Sequence, residues 1–409
     1  MSENVMEVMR RTFPKSVQPG LPKLKPPKPG WKSCRFGELL DQVQRRVHLQ
    51  PDDTYDLVTV KRSRGGIESR GKLRGSQISV TSQFRIAAGD FLISKRQIVH
   101  GACGAVSSEF DGAVVSNEYS VLRCKPNIDL TFLQYLSHSV YFQQTCFHSS
   151  IGVHIEKMIF KLDEWFKWPV NIPTLPEQKK IAAFLGAVDA KLAALAAKQA
   201  ALGRFKAGLM QKLFTQQLRF TRDEGRGFPD WEEKELRAVS TINPKSPNLP
   251  KRFRYIDLES VNAGTLGAVR EIDATEAPSR AQRVLQRGDI LYQTVRPYQR
   301  NNFYFDLDGI YVGSTGYAQI RAKQNRHYLF HALHTEEFVN RVIERCTGTG
   351  YPAINSSDLG GITLPIPHPV EQQKIATALC AMDAKIQAVA DQVAKLQTFK
   401  KGLLQQMFV

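Results

Sequence analysis

Three polar segments of the sequence carry side chains that suit the edges of DNA bases. They lie at 61–64, 95–97 and 296–300, and the second and third each follow a run that contains Gly-Asp. Arg makes paired hydrogen bonds with guanine, and Gln makes them with adenine. We therefore predict DNA contacts at Lys61, Arg62, Arg64, Lys95, Arg96, Gln97, Arg296, Tyr298, Gln299 and Arg300. A solvated surface is an equally good interpretation of any one of them, and the sequence does not separate base contacts from phosphate contacts.

The sequence contains no complete motif for catalysis on DNA. A base-flipping methyltransferase would need an Asn/Asp-Pro-Pro-aromatic loop, whereas Asn243–Ser246 has one proline and no aromatic residue. Metal-dependent cleavage needs converging carboxylates, and Asp230 and Glu232 are too close in sequence to span two strands of such a core. The Gly-x4-Gly-Lys-Ser/Thr motif of ATP-driven motors is absent from the sequence. We predict a chain without catalytic residues of its own.

Histidine and cysteine spacing predicts neither a metal site nor a disulfide. His327, His331 and His334 share a helical face, and His148 and His154 flank a glycine, but no Cys or acidic pattern completes a ligand set. Packing or surface positions are therefore favoured for these histidines. The six cysteines are scattered without a CxxC pair, which is typical of reduced thiols, and residues 1–11 lack a continuous apolar stretch. Both features favour a cytoplasmic location.

The charge balance favours a polyanionic partner. The 409 residues include 56 Lys and Arg against 39 Asp and Glu, a formal net charge of +17. Such an excess attracts nucleic acid, with anionic membrane as the rival. No segment approaches the ~20 apolar residues of a spanning helix, and no helical pattern combines a Lys-rich face with Trp and Phe. We therefore predict nucleic acid, and no membrane, as the partner.

A segment of nearly forty residues occurs twice in the chain. Residues 177–182 return at 371–376, and the offset of 194 continues without a gap to Phe214 and Phe408. Apolar residues alternate at spacings of four and three, which is typical of a coiled-coil helix. The predicted seam consists of Ile181, Leu185, Val188, Leu192, Leu195, Leu202, Ile375, Leu379, Met382, Ile386, Val389 and Leu396. We predict that the two helices pair within one chain; pairing with other chains and two ordinary buried helices are the alternatives.

The segments between and before these helices predict two similar α+β globules. Both contain short β-type runs separated by Gly, Asp and Asn turns, with a few short helices. Gly89-Asp90 corresponds to Gly288-Asp289, and residues 114–123 correspond to 312–321. A Pro- and Lys-rich start predicts an extended, mobile leader that is solvated rather than bound to DNA. The predicted division is a leader at 1–30, a first globule at 31–172, a first long helix at 173–219, a second globule at 220–366 and a second long helix at 367–409.

Together these motifs resemble the specificity subunits of type I restriction–modification systems. The run Pro173–Ala182, followed by Asp189-Ala-Lys191 and Phe205–Phe214, is similar to the conserved regions of that family, and Pro365–Phe408 is similar to them again. The Gly-Asp strand of each globule and the run Gly350–Leu359 match as well. The resemblance covers residues 31–409, everything but the leader. The leader and the connection Trp165–Trp168 depart from the second half, so the two halves are less equivalent there.

The resemblance implies an α+β fold of two target recognition domains, separated by two long helices that form an antiparallel coiled coil with a pseudo-two-fold internal repeat. Each domain would read one half of a split site in double-stranded DNA, and the coil would set the unread spacer. The implied partners are two adenine-methylating modification subunits and restriction subunits, which would bind the methyl donor, ATP and Mg²⁺ in place of this chain. A scaffold that binds nucleic acid without sequence preference is the main alternative, and a stand-alone nuclease or methyltransferase is the third.

Overall fold

Two helices of 40 residues are the longest elements of the structure, a computed structural model that describes residues 14, 16–246, 248–348 and 350–408. Helix α5 spans Leu175–Phe214 and α10 spans Pro369–Phe408, so both begin and end 194 positions apart. Both are rich in Ala, Leu, Lys and Gln, which favour helix. The predicted helical region 173–219 extends past α5, because Gln216 takes a left-handed φ of 58° that turns the chain out of the helix.

The described chain divides into two units, each of which contains a globule and parts of both long helices. Unit 1 comprises Met1–Leu195 and Gln392–Val409, and unit 2 comprises Ala196–Asp391.

Unit 1 is built on a four-stranded and a five-stranded sheet. The first has the strand order β2 (Leu40–Gln42), β10 (Tyr119–Cys124), β7 (Asp90–Ser94), β8 (Cys103–Ala105). The second has the order β3 (Arg46–Val47), β6 (Gln83–Arg85), β9 (Val114–Ser116), β4 (Thr54–Val60), β5 (Ile67–Arg74). Two antiparallel pairs complete it: β1 (Lys32–Arg35) with β13 (Pro169–Ile172), and β11 (Ser150–Ile151) with β12 (Ile159–Phe160). Its short helices are α1 (Phe36–Leu39), α2 (Leu130–Leu136), α3 (Val140–His148) and α4 (Leu162–Trp165).

Unit 2 repeats this plan. Its first sheet has the order β15 (Ser240–Ile242), β24 (Tyr317–Ala322), β21 (Ile290–Gln293), β22 (Phe303–Tyr304). Its second sheet has the order β19 (Glu271–Asp273), β16 (Arg252–Ile256), β23 (Tyr311–Ser314), β20 (Ala281–Val284). The pairs are β14 (Glu232–Glu235) with β25 (Thr363–Ile366), and β17 (Val261–Asn262) with β18 (Thr265–Leu266). Its short helices are α6 (Leu236–Val239), α7 (Arg326–Ala332), α8 (Glu336–Glu344) and α9 (Ser356–Gly360).

Within each unit the two long helices run antiparallel, which confirms the fold that the sequence predicts. In unit 1, Ala182 and Leu185 near the start of α5 share a hydrophobic cluster with Phe408 at the end of α10. In unit 2, Ile375 near the start of α10 shares a cluster with Leu213 at the end of α5. All twelve predicted seam residues are buried or half-buried, whereas the residues between them are mostly exposed. The narrow apolar stripe is therefore the enclosed face of each long helix, and near the helix starts it packs into the globule cores.

The ion pairs between the two long helices also recur with the offset of 194. Lys400 Nζ donates to Asp189 Oδ1 at 2.5 Å in unit 1, and Lys206 Nζ donates to Asp383 Oδ1 at 2.5 Å in unit 2. Both partners of the second pair are related to those of the first by the offset of 194. Each of these lysines thus pairs with an aspartate on the neighbouring long helix.

In each unit, a tryptophan of the globule donates a hydrogen bond to a glutamate in the first turn of a long helix. Trp31 Nε1 donates to Glu177 Oε1 at 3.1 Å, and Trp231 Nε1 donates to Glu371 Oε2 at 3.0 Å. Glu371 is fully buried and also accepts two hydrogen bonds from the guanidinium of Arg219, at 3.1 and 3.0 Å. The two globules are therefore attached to equivalent helical positions by the same kind of contact.

The described part of the leader is extended, as predicted, but it is not detached. Residues 16–30 form no helix or strand, and they lie against unit 1. The Val17 side chain is 5% exposed, Asn171 Nδ2 donates to the Lys25 carbonyl at 2.8 Å, and Lys28 Nζ donates to the Gln406 carbonyl at 2.6 Å. Apolar burial at Val17 and hydrogen bonds to Lys25 and from Lys28 therefore anchor parts of this segment, and the mobility of the leader stays a prediction; residues 1–13 and 15 lie outside the described part.

Candidate nucleic-acid interface

A buried aspartate fixes the start of the central strand in unit 1. Asp90 follows Gly89, whose φ is 87°, and its side chain is fully buried. It accepts hydrogen bonds from Arg45 Nη1 and Arg123 Nη2, both at 2.6 Å. Burial by itself would raise the pKa of Asp90, but the hydrogen bonds from the two arginines outweigh burial and hold the pKa below its ordinary value.

The equivalent aspartate in unit 2 makes the same kind of contact. Asp289 is 1% exposed and accepts from Arg321 Nε at 2.8 Å and from Gln319 Nε2 at 2.7 Å. The Gly-Asp motif that repeats in the sequence thus forms a structural ion-pair site where β7 and β21 begin. It orients β7 and β21, and the segments that follow these strands lie at their opposite ends.

Four segments converge where β7 ends, and we call them together the loop end of unit 1: residues 61–66, 95–101, 117–118 and 150–160. The Lys95 backbone N–H donates to the Glu118 carbonyl at 2.8 Å, and the Phe160 N–H donates to the Lys95 carbonyl at 2.8 Å. The Arg64 N–H donates to the Gly101 carbonyl at 3.0 Å. The sequence-predicted segments 61–64 and 95–97 are therefore brought together.

Most of the predicted basic residues at this loop end face a carboxylate of the same unit. Lys61 pairs with Glu68 at 2.5 Å, Arg62 with Glu156 at 2.6 Å, and Arg96 with Glu118 at 2.5 Å. The three basic side chains are about half exposed, so solvent weakens each pair. A phosphate or a base edge can therefore replace the carboxylate at little cost.

Three other predicted residues are more enclosed. Lys95 donates through Nζ to the Asn117 carbonyl at 2.8 Å, and burial lowers its pKa. Arg64 has a left-handed φ of 61°, its Nε is buried without a hydrogen-bond partner, and burial lowers the pKa of its guanidinium. Gln97 likewise has a buried Oε1 without a partner. Arg64 and Gln97 thus hold unused hydrogen-bonding capacity beside the exposed cations.

The loop end of unit 2 consists of the corresponding segments 257–264, 294–302, 315–316 and 347–354, of which Thr349 lies outside the described residues. The Thr294 N–H donates to the Gly316 carbonyl at 3.0 Å, and the Ile354 N–H donates to the Thr294 carbonyl at 3.0 Å. The Ala263 N–H donates to Asn301 Oδ1 at 2.9 Å. The segment after β21 is therefore held by neighbours in the same order as the segment after β7.

Arg296 and Arg300 have left-handed backbone conformations, with a φ of 54° each, on either side of a one-turn helix, Pro297–Gln299. The Arg296 guanidinium lies 4.2 Å from the centre of the Tyr351 ring, a cation–π contact, and its Nε is buried with no hydrogen-bond partner among the described residues. Arg300 donates to both oxygens of Glu336, at 2.7 and 2.5 Å. Strained backbone of this kind concentrates at functional sites.

The other two predicted residues of unit 2 lie on that helix. The Tyr298 side chain is 50% exposed, and Gln299 is exposed while its Oε1 accepts from Gln293 Nε2 at 2.9 Å. All ten predicted DNA-binding residues thus lie at one of the two loop ends, where their roles stay predictions.

Sequence reasoning missed the segments 150–160 and 347–354, which contribute exposed apolar and aromatic side chains. Val153 is 97% exposed, and Tyr351 is 69% exposed. Their sequence signals are weak, because Gly152 and Gly348 merely indicate turns. Their positions depend on β11–β12 pairing and on the bridge between Thr347 and Ala353.

Two of the three histidines that share a helical face in the sequence lie in enclosed surroundings. His331 is 2% exposed, and burial lowers its pKa to about 2, while burial lowers the pKa of His334 to about 4. Among the described residues there is no group of three or more His, Cys, Asp or Glu side chains placed to hold a metal ion. In the same part of the chain, no helix is both long enough and apolar enough to cross a membrane.

Comparison with known proteins identifies the family. The sequence profile described as the Type I restriction modification DNA specificity domain matches residues 30–204 and again 229–398. The chain is 27% identical over 414 residues to the Type I restriction enzyme MjaVIII specificity subunit of Methanocaldococcus jannaschii, covering 91% of both chains. It is 27% identical over 195 residues to the HindI specificity subunit of Haemophilus influenzae, covering 44% of this chain and 41% of that one.

Solved structures share the fold. A chain from a study of complex assembly and conformational transition of the type I R-M system aligns with a TM-score of 0.58 at 20% identity, covering 93% of this chain and 98% of that one. The type I restriction–modification S subunit from M. genitalium aligns with a TM-score of 0.57 at 16% identity, covering 95% and 99%. With both matched segments and this fold, the chain belongs to the family of type I restriction–modification DNA specificity domains, as a specificity subunit with two recognition domains.

Proposed function

We propose that this chain directs a type I restriction–modification complex to a two-part sequence in double-stranded DNA, each part being read at the loop end of one unit. The observation that carries the proposal is the presence of the same four-segment loop end, with different side chains, on the same strand plan in both units. Two similar modules with different reading residues are what a split, asymmetric site requires.

The proposed reading residues differ in kind between the units. Arg96 and Gln97 follow β7, whereas Arg296, Gln299 and Arg300 follow β21. Arg96 and Arg300 are held by Glu118 and Glu336, so their guanidinium groups are oriented before DNA arrives. For Arg300, which donates to both Glu336 oxygens, exchange of the carboxylate for a guanine edge keeps the paired geometry, and a wrong base would leave either arginine on its internal partner.

We propose further that the long helices dock modification subunits. Phe205 on α5 is 62% exposed, and Phe399 on α10 is 51% exposed. They are equivalent residues under the 194 offset. Each directly precedes the lysine of a cross-helix ion pair, Lys206 or Lys400. Exposed aromatic residues that recur at matched positions favour two equivalent docking contacts, one in each unit.

The chemistry is assigned to these partners. Adenine methylation, ATP hydrolysis and metal-dependent cleavage would be supplied, with methyl donor, ATP and Mg²⁺, by the modification and restriction subunits. The role of this chain is to bind DNA and to position the partners on it.

The test is detection of N6-methyladenine by single-molecule sequencing in a host that lacks DNA methylation. The host would carry this chain together with the neighbouring modification subunit. We expect methylation at a split motif with an unread spacer, and none when this chain is omitted. A stably purified complex that methylates no motif, and that binds DNA with a steep salt dependence but no sequence preference, would contradict the proposal.

A further inference from the structure

The leader touches the loop end of unit 1 through a buried histidine. Ser16 Oγ lies 2.9 Å from His100 Nδ1, and the His100 side chain is fully buried. His100 ends the one-turn helix Ile98–His100, which directly follows the predicted reading residues 95–97. The leader thus reaches the segment that the proposed function assigns to base reading.

His100 joins this contact to two other segments of the loop end. Its Nε2 lies 3.2 Å from Glu156 Oε1, and Glu156 Oε2 accepts from Arg62 Nη2 at 2.6 Å. Burial lowers the pKa of His100, so the imidazole is neutral at physiological pH, with one ring nitrogen as acceptor and one as donor. A neutral ring lets Nδ1 accept from the Ser16 hydroxyl, while Nε2 lies close to the Glu156 carboxylate without the geometry of a hydrogen bond.

Neighbouring leader residues anchor this end of the leader. The Val17 side chain is 5% exposed, and its N–H donates to the Pro14 carbonyl at 2.9 Å. Gly20 lies so close to Gln144 on α3 that a Cβ at this position would come within 2.5 Å of the Gln144 amide nitrogen. Close packing against unit 1 therefore continues from Ser16 to Gly20.

Unit 2 provides a natural comparison. Its corresponding one-turn helix, Pro297–Gln299, leaves Tyr298 and Gln299 exposed, whereas Val99 and His100 in unit 1 are 3% and 0% exposed. The chain that precedes β14 in unit 2 is residues 219–230, which contact the start of α10 through Arg219 and Glu371. The segment before the globule thus contacts the loop end in unit 1, whereas in unit 2 it contacts the long helix.

We propose that leader residues 16–20 are positioning residues for DNA reading by the first recognition domain. Ser16, anchored by the buried Val17, holds the helix Ile98–His100, and through His100 and Glu156 it holds Arg62, in the arrangement that orients residues 95–97. The proposal rests on the proposed function, and it predicts an effect on one half of the split site alone.

The test is the double variant Ser16→Ala/Val17→Asp in the full chain, with its modification subunit, read out by methylome sequencing. We expect about tenfold less discrimination against mismatches in the half-site read by unit 1, the order of one lost base contact, with the other half-site unchanged. Arg96→Ala identifies which half-site belongs to unit 1. Ser16→Thr, which keeps the hydroxyl, should preserve discrimination, and Lys23→Ala, an exposed leader position, serves as the matched control.

Three results would overturn the proposal: equal loss at both half-sites, which indicates general destabilisation; no loss at either; or weaker binding to all sequences with a shallower salt dependence, which indicates a direct phosphate contact by the leader. Failure of the proposed function is distinguishable, because the unaltered chain would then yield no split motif at all.

Discussion

Asp189 in unit 1 accepts hydrogen bonds from Tyr135 Oη at 2.8 Å and from Lys400, whereas its counterpart Asp383 in unit 2 accepts from Lys206 and lies 3.8 Å from His331 Nε2. Tyr135 and His331 occupy the same position of equivalent helices, α2 and α7. Both units keep the aspartate and the lysine, and they differ in the third side chain beside the aspartate, which is Tyr135 in unit 1 and His331 in unit 2. The two units thus preserve the charges that join the long helices and vary the side chains around them.

The loop ends differ far more than the scaffold below them. Arg62, Glu156 and a buried His100 form a connected network in unit 1, while unit 2 places Arg296 over Tyr351 and Arg300 on Glu336. The two units therefore share the strands and helices that position the loops, whereas the side chains at the loop ends differ. This comparison leads to five predictions.

The largest effect is expected from the shared buried aspartates. Asp90→Ala and Asp289→Ala should each lower the free energy of unfolding by about 3 kcal/mol, because Arg45 and Arg123 in unit 1, or Arg321 in unit 2, lose their buried carboxylate, and the partial exposure of these arginines keeps the loss at the lower end. Denaturant unfolding of the purified chain measures it. The exposed Glu109→Ala variant is the control, and a loss in one unit but not the other would contradict a common scaffold.

Asp90 also predicts the sign of a pH dependence. Its pKa is depressed in the folded state, so its contribution is present at neutral pH and is lost as the pH falls below the ordinary value of 3.8 toward the folded value. Asp90→Asn should remove this acid-dependent part of the unfolding free energy. An unchanged acid profile would contradict the assignment.

Docking of modification subunits is expected to depend on one aromatic residue in each unit. Phe205→Ser and Phe399→Ser should each weaken binding at one site by about 2 kcal/mol and change stability little, because both side chains are exposed. Native mass spectrometry would count bound subunits: one for each single variant and none for the double. Retention of two subunits by both single variants would contradict docking at these positions, and Lys198→Ala on the exposed face of α5 is the control.

The reading residues should separate the two half-sites. Arg96→Ala and Arg300→Ala are each expected to cost about 1.5 kcal/mol of discrimination, and each at a different half of the split motif. Methylome sequencing of both variants measures the effect. Arg204→Ala, an exposed arginine on α5, controls for the loss of charge, and relaxation of the same half-site by both variants would refute the assignment of one half to each unit.

The smallest effect concerns the residue that differs beside the conserved ion pair. Tyr135→Phe should destabilise the chain by about 1 kcal/mol, because Asp189 loses one of its two donors and keeps Lys400. Thermal unfolding would detect it as a lowered Tm. Tyr135→His, which copies unit 2, should cost a similar amount, since the His331 ring lies beyond hydrogen-bond distance from Asp383. A neutral Tyr135→Phe variant would show that the tyrosine hydroxyl contributes nothing.

Much of the fold and part of the candidate site could be predicted. The 194-residue offset anticipates both ends of α5 and α10, because a gapless repeat must form the same element twice. The Gly-Asp runs mark the central strands β7 and β21. The predicted reading segments do lie at the loop ends, since the residues that follow a strand leave the sheet at its edge.

The sequence by itself determined the two-fold plan, the apolar seam of the long helices and the excess of positive charge, because periodicity and composition act through local geometry and summed charge. The tertiary structure decided which distant residues meet. It alone placed Glu156 between Arg62 and His100, Tyr351 beneath Arg296, and Ser16 of the leader against His100, which is 84 positions away in the sequence. Such contacts depend on how strands pair and loops pack, and no local pattern in the chain encodes a partner that far away.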